Sequence, residues 1–385
     1  MRLDLKYIMF VVKLIETYGS GEIIMKIKKL GDSKIIMSNH GSRHNYFGWP
    51  TAARLQNGKI AVVASGFRCR HVCPFGKTVI SYSEDNGETY TAPAPVIDTV
   101  LDDRDGGILP FGKSGVIVTS FNNTTDFQRS NDELTAYDSA YLDTVTPEEE
   151  ADALGVNFRI SNDCGVTFGK IFKSPVSSPH GPVELPDGTL LWVGSIYNPK
   201  DEQDSIGCVE AHKINLDGTT EFVGRIEGVE IEGKDPIPCE PYAIVLDDGT
   251  ILVHIRVETL DDSIFTIYQS ESADNGKTWT KPRQLLPLSG GAPSHILKHS
   301  SGTLVCTYGY RNPPYGIRAM FSNDSGKTWD CGYKIYLSDA NDTDIGYPSS
   351  VELDDGSMLT IFYALDGEGG PAVIMQQKWR MEQEG

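Results

Sequence analysis

SADNGKTW, residues Ser272 to Trp279, compresses a tight turn and the strand that leaves it into eight residues. Asp274 and Asn275 can hydrogen-bond to their own backbone and close the turn. Gly276 can take the positive φ that side chains resist. Thr278 and Trp279 suit the departing strand, the indole serving as a large apolar anchor. The pattern recurs as SEDNGETY from Ser83, SNDCGVTF from Ser161 and SNDSGKTW from Ser322. Four copies of one eight-residue pattern mean internal repetition, which is weighed before any other feature because it governs the architecture.

The motif resembles the Asp-box of sialidases and related glycan-active propellers. In that family the box is a structural turn at the blade periphery, so the resemblance implies no chemistry for it. A second repeat fits the same architecture. Six stretches share a turn-in residue, a short apolar run, an Asn-Gly or Asp-Gly type of turn and a second apolar strand. They start at Trp49, Asp103, Pro179, Glu240, Pro293 and Tyr347, at intervals of 54, 76, 61, 53 and 54 residues. Units of about fifty-five residues with four strands each predict an all-β fold, a single six-bladed β-propeller of sialidase type spanning 1–385. The last unit is short, so N-terminal strands within 1–40, at Glu22 to Lys28 and Lys34 to Met37, are expected to complete the last blade and leave no open edge. The long second interval holds an insertion, about 122–156, with a short acidic helix at TPEEEADALG. It is read as a solvated decoration or as a lid beside the site.

With 34 basic and 53 acidic residues the chain carries a net charge of −19. That balance excludes nucleic acid and anionic membrane surfaces as natural partners, but not an anionic substrate met by a local arginine cluster. The apolar run Tyr7 to Ile15 is interrupted by Lys13 and is too short to span a bilayer. It reads as an outer strand, and without an evident export signal a cytoplasmic location is expected. Seven cysteines include one close pair, Cys69 and Cys73, around His71. No further ligands stand at zinc spacing, so neither metal nor cofactor is expected.

Innermost propeller strands begin near the axis, so residues at the six starts converge on one cavity. There the resemblance to sialidases sharpens. Glu240-Pro241 followed by AIVLDDGTILVHIR resembles the segment that carries the family's Glu and a substrate-binding Arg, which places that role on Arg256. RNPPYGIRAMFSNDSGKTWD resembles the next blade, with Arg318 the better match for its Arg and Arg311 the second. Tyr347-Pro348-Ser349-Ser350 resembles the segment of the Tyr nucleophile. The implied chemistry is the exception to the two-carboxylate rule of glycosidases, a phenol paired with a carboxylate. Glu240 would accept the proton of Tyr347 as it attacks, and arginines would grip a sugar carboxylate with charge-assisted bonds.

The chain departs from the family twice. Where sialidases carry Phe-Arg-Ile-Pro, this chain has Phe47-Gly48-Trp49-Pro50, so the first arginine is Gly48. The following loop, SGFRCRHVCPFG, contains no acid where the family places its proton donor. Arg68, Arg70 or Arg43 is expected to replace the guanidinium, and Asp105, Asp103 or His71 the acid; Arg68 and Asp105 are the preferred pair. Trp49 would serve as a platform for a sugar face. The reading is therefore an exo-glycosidase for sialic acid or a related acidic sugar, with a glycan as its partner. A non-catalytic glycan- or protein-binding propeller is the rival, and a glycosidase or lyase for another sugar is the third course.

Overall fold

In the computed structural model, residues 25–197, 207–261, 263–339 and 342–383 are described. The run Tyr7 to Ile15 and Glu22 to Ile24 lie outside them. Six antiparallel sheets follow one another along the chain. The inner strands of the six blades are Tyr46–Arg54, Arg104–Phe111, Val183–Glu184, Ile237–Val245, Ser294–Lys298 and Gly346–Glu352. Second strands such as Met358–Leu365, apolar but for one threonine, and Ile251–Glu258, apolar apart from His254 until it reaches Arg256 and Glu258, are largely buried on both faces. A blade in the ring is covered by a neighbour on each side, so strict alternation is lost where packing is densest.

The apolar core is divided between blades rather than gathered at one centre. One cluster joins blades 1 and 2 through Val63, Ile80, Ile108 and Val118. Others join blade 2 to 3 through Phe158 and Trp192, and blade 3 to 4 through Leu191 and Val253. Blades 4 and 5 meet at Leu252 and Cys306, blades 5 and 6 at Phe321 and Phe362, and blades 6 and 1 at Leu359 and Val62. Closure is made in the sixth blade. Its third strand, Ala372–Gln383, pairs with Met25–Lys29 from Met25 opposite Gln383 to Lys29 opposite Trp379. The same strand takes Lys34–Met37 beside its first half. The two ends of the described chain thus share one sheet, and their pairing closes the ring of blades.

The four boxes are superimposable in their bonding. In the third, Asp274 accepts from Thr278 N at 2.9 Å and Thr278 Oγ1 at 2.7 Å, while Ser272 Oγ accepts from Gly276 N at 2.9 Å. Asn275 has φ 60° and Gly276 φ 87°, so the turn needs two successive left-handed residues. Each box also abuts the preceding blade. A Cβ at Gly87 would lie 2.6 Å from Leu359 of blade 6, and one at Gly326 would lie 2.3 Å from Leu252 of blade 4. The glycine therefore serves the turn and the blade interface together.

The insertion between the second and third strands of blade 2 forms three short helices, Thr125–Arg129, Ala136–Leu142 and Pro147–Ala153. The last two begin with full capping boxes at Thr135 and Thr146. Arg70 pairs with the buried Asp138, and Phe75 packs on Tyr137 and Tyr141 at ring separations of 4.8 Å. These contacts fasten the insertion to the loop that follows the second strand of blade 1.

Candidate active site

Four inner strands begin with the same distortion. Trp49, Asp105, Glu240 and Tyr347 have φ of 53°, 48°, 47° and 47°, although none is glycine. Each sits in a break of the strand register, between Gly48 and Thr51, Arg104 and Gly107, Cys239 and Tyr242, and Gly346 and Ser349. Bulges re-aim side chains, and strained non-glycine backbone of this kind concentrates at functional sites. All four side chains line a single cavity of about 320 Å³. In blade 2 the cavity is reached two residues later than the sequence suggested, at Asp105 rather than Asp103, and in blade 3 the positive φ falls on Gly181 rather than at Pro179. Asp103 is buried and occupied, accepting from Thr99 N at 2.7 Å, Thr99 Oγ1 at 2.9 Å and Asn122 Nδ2 at 3.2 Å.

Glu240, Arg256 and Tyr347 form one contact set. The Tyr347 hydroxyl donates to Glu240 Oε1 at 2.5 Å. Arg256 Nη1 donates to Glu240 Oε2 at 2.7 Å and to Tyr347 Oη at 3.1 Å. Its Nη2 is bound to Glu258, so this guanidinium is already oriented and partly neutralised. Strand register explains half of the set: Arg256 lies opposite Cys239, next to Glu240, across one hairpin. Burial first, and the Glu240 charge second, hold the Tyr347 phenol well above its ordinary range despite Arg256. The phenol is therefore protonated at neutral pH, with a carboxylate in place to take the proton when it is released.

Asp105 faces this set without a protein hydrogen bond of its own among the described residues. Burial, and next the charge of Glu240, raise its carboxyl from 3.8 to about 7. It can thus hold a proton at neutral pH and yield it. Two further arginines line the cavity, Arg104 and Arg311. Arg311 donates from Nε to Ile345 O at 3.0 Å and from Nη2 to Tyr363 Oη at 3.4 Å, which leaves Nη1 for a ligand. Arg104 spends Nη1 on His71 O at 3.2 Å and Asp102 Oδ2 at 3.5 Å, and its carbon stands 4.5 Å from the Trp49 ring centre. Neither Nε nor Nη2 of Arg104 has a protein partner among the described residues.

Two expected arginines are elsewhere. Arg68 is fully buried, paired with Asp102 at 2.5 Å and bonded to Ser65 Oγ at 2.8 Å and His71 O at 2.6 Å. It braces the loop 69–76 and has no donor left for a substrate. Arg318 lies on the third strand of blade 5, farther from the axis, where it bonds Pro314 O at 2.9 Å and covers the Tyr310 ring at 4.5 Å. Arg311, at the mouth end of the second strand, takes the axial place. Trp49 reaches the cavity but is only 2% exposed, with Arg68 and Arg104 over its ring, so it is a wall rather than an open platform. Two further histidines are buried between inner strands, where His180 bonds Thr51 Oγ1 at 3.0 Å and His295 stacks on Tyr242 at 4.7 Å.

Arg104 and the insertion's Asn123 and Phe127, which line the mouth, escaped the sequence reading. Arg104 had a usable signal. Gly48-Trp49-Pro50, Arg104-Asp105-Gly106, Cys239-Glu240-Pro241 and Gly346-Tyr347-Pro348 align as one blade phase. Phe127 had none, because nothing local says where a helical insertion will lean. Among the described residues no group of three or more His, Cys, Asp or Glu side chains is arranged to hold a metal.

Comparison with known proteins agrees with this geometry at the level of fold. The profile of the BNR repeat-like domain matches residues 144–361. A protein of unknown function from Dyadobacter fermentans superposes with a TM-score of 0.73 at 19% identity, covering 92% of this chain and 99% of that one. The NanB sialidase of Streptococcus pneumoniae does so at 0.62 and 14%, over 90% and 70% of the two chains. The intramolecular trans-sialidase of Ruminococcus gnavus, solved with oseltamivir carboxylate, gives 0.61 and 13%, over 91% and 96%. No curated protein matches by sequence.

Proposed function

This chain belongs to the BNR repeat-like domain family, and from that premise we propose that it is a retaining exo-glycosidase of sialidase type acting on a terminal acidic sugar. The observation that carries the reading is the 2.5 Å hydrogen bond from Tyr347 to Glu240, with Arg256 touching both, inside an axial cavity. In the first step the Tyr347 oxygen attacks the anomeric carbon as its proton passes to Glu240. Asp105 gives its proton to the departing oxygen, and the C–O bond to the leaving group breaks. In the second step water displaces the tyrosyl oxygen, which recovers its proton from Glu240, and the proton that the water sheds restores the Asp105 carboxyl. A neutral phenol suits a sugar whose carboxylate sits beside the reacting carbon, because a carboxylate nucleophile would be repelled.

Arg104, Arg256 and Arg311 supply the cationic wall for that carboxylate. Arg256 shares its charge with Glu240 and Glu258, and the first-blade arginine of sialidases is Gly48 here. That difference favours a related keto-acid sugar or uronic acid alongside sialic acid itself. The test is a panel of aryl glycosides of sialic acid, related keto-acid sugars and uronic acids, with wild type and Tyr347→Phe assayed side by side. Turnover of one member, reduced at least about 1,000-fold by the substitution with an unchanged melting temperature, is the expected result. Equal turnover by both proteins removes Tyr347 as nucleophile. Silence from the wild type across the whole panel transfers the reading to a glycan-binding propeller.

A further inference from the structure

The loop that replaces the family's acid-bearing loop presents a histidine to the cavity, and its surroundings dictate which nitrogen carries the proton. His71 lines the cavity with its side chain 49% exposed. Its Nδ1 lies 3.2 Å from Tyr46 Oη and 3.4 Å from Asp344 Oδ1. The Tyr46 hydroxyl is committed as a donor to Asp344, at 2.8 and 3.0 Å to the two oxygens. Asp344 is held below its ordinary value by bonds from His71 and Tyr46 despite its burial, so it is ionised and only accepts. Nδ1 must therefore be the protonated nitrogen, and Nε2 carries a lone pair.

The imidazole is also rigidly mounted. The His71 carbonyl is clamped by Arg68 Nη2 at 2.6 Å and Arg104 Nη1 at 3.2 Å, and its ring stands edge-on to Trp49 at 4.9 Å. Burial, followed by the charges of Arg104 and Arg68, outweighs Asp344 and keeps the ring neutral at neutral pH. A cavity-lining imidazole whose Nδ1 is held by Asp344 and Tyr46, and whose Nε2 has no protein hydrogen-bond partner among the described residues, has the composition of a general base. It is not needed for the first step, in which Glu240 and Asp105 already move both protons.

We propose that His71, oriented by Asp344 and Tyr46, is the base that activates water in the second step. Asp105 is then the acid of the first step only. This inference rests on the glycosidase reading above. As water adds, one of its O–H bonds breaks and the proton goes to Nε2. Its oxygen bonds the anomeric carbon, the bond from that carbon to the Tyr347 oxygen breaks, and Glu240 returns its proton to the phenolate. The half-exposed imidazolium releases its proton to solvent, from which Asp105 is recharged, so the net reaction consumes one water.

The experiment is pre-steady-state kinetics of wild type, His71→Asn and Asp344→Asn on whichever aryl glycoside the wild type turns over. In His71→Asn the first release of phenol should keep its rate, followed by a steady phase slowed about 100-fold or more. The glycosyl adduct on Tyr347 should accumulate and be visible by intact mass. Azide, a nucleophile that needs no base, should restore the slow phase of His71→Asn. Asp344→Asn should show the same imbalance in weaker form, with an altered pH dependence of the second step. Equal slowing of both phases, no adduct, or no response to azide overturns the assignment. A wild type silent on every aryl glycoside takes down the underlying reading as well, whereas a turning-over wild type matched by His71→Asn removes this inference alone.

Discussion

Replacing Asp105 by Asn should make the protein more stable at alkaline pH while slowing it. Asp105 is 7% exposed and carries a carboxyl raised from 3.8 to about 7, by burial first and by Glu240 next. The native state thus retains a proton that the unfolded chain has lost, between about pH 4 and pH 7. Stability falls with rising pH wherever the native state binds the extra proton. The destabilisation is absent below about pH 4, grows across that window and is complete above pH 7. At about 1.4 kcal/mol per pH unit, a shift of about three units comes to about 4 kcal/mol. Asparagine has the same shape and no charge at any pH, so the variant should gain about 2 to 4 kcal/mol over wild type at pH 8 and almost nothing at pH 4. Urea unfolding of both proteins at pH 4, 6 and 8 measures the gain as a difference of differences, in which the titrations of groups not coupled to Asp105 cancel. The same variant should lose most activity on substrates with basic leaving groups and least on nitrophenyl glycosides, which depart without a proton. A gain independent of pH, or a variant less stable than wild type at pH 8, would refute the placement of Asp105 as a buried acid beside Glu240.

The two arginines of blade 5 can be told apart by kinetics. Arg311→Met should raise KM for the acidic sugar about 10- to 100-fold, the worth of a charged hydrogen bond, whereas Arg318→Met should leave KM unchanged. Equal effects would return Arg318 to the site. Gly326→Ala tests the double duty of the box glycine. Its φ of 82° and a Cβ 2.3 Å from Leu252 should together cost about 2 to 4 kcal/mol in urea unfolding. The activity per folded molecule should be unchanged, because the box lies at the periphery; a cost under about 0.5 kcal/mol would show that blade 4 yields freely there.

How much of this was legible follows from the range of the interactions concerned. The bonds that close the turn of an Asp-box, such as Ser272 to Gly276 and Asp274 to Thr278, lie within eight residues, so the sequence alone encodes the turn. Repetition of that turn and of the hairpins then implies six blades, because each hairpin buries its faces only between two others. Glu240, Arg256 and Tyr347 were legible for a related reason. Blade phase is a local property, and residues of equal phase meet on the axis however far apart they lie in the chain. The competition for charged partners is not local. The sequence favoured Arg68 as the cavity cation and passed over Arg104, yet Asp102 together with full burial removes Arg68, while Arg104 lines the cavity. Arg311 and Arg318 are seven residues apart on one hairpin, and radial distance from the axis decides between them. The partner of His71 is Asp344, on the far side of the propeller's closure, and the pairing exists only because blade 6 returns beside blade 1. Periodicity in the chain was enough to specify the ring and the axial places at Trp49, Glu240 and Tyr347, since these arise from repeated short-range bonds, but it misplaced the phase of blade 2 by two residues. The ionisation of Asp105, the tautomer of His71 and the choice among arginines required the assembled ring, because burial and long-range charge pairing act only once six blades have closed.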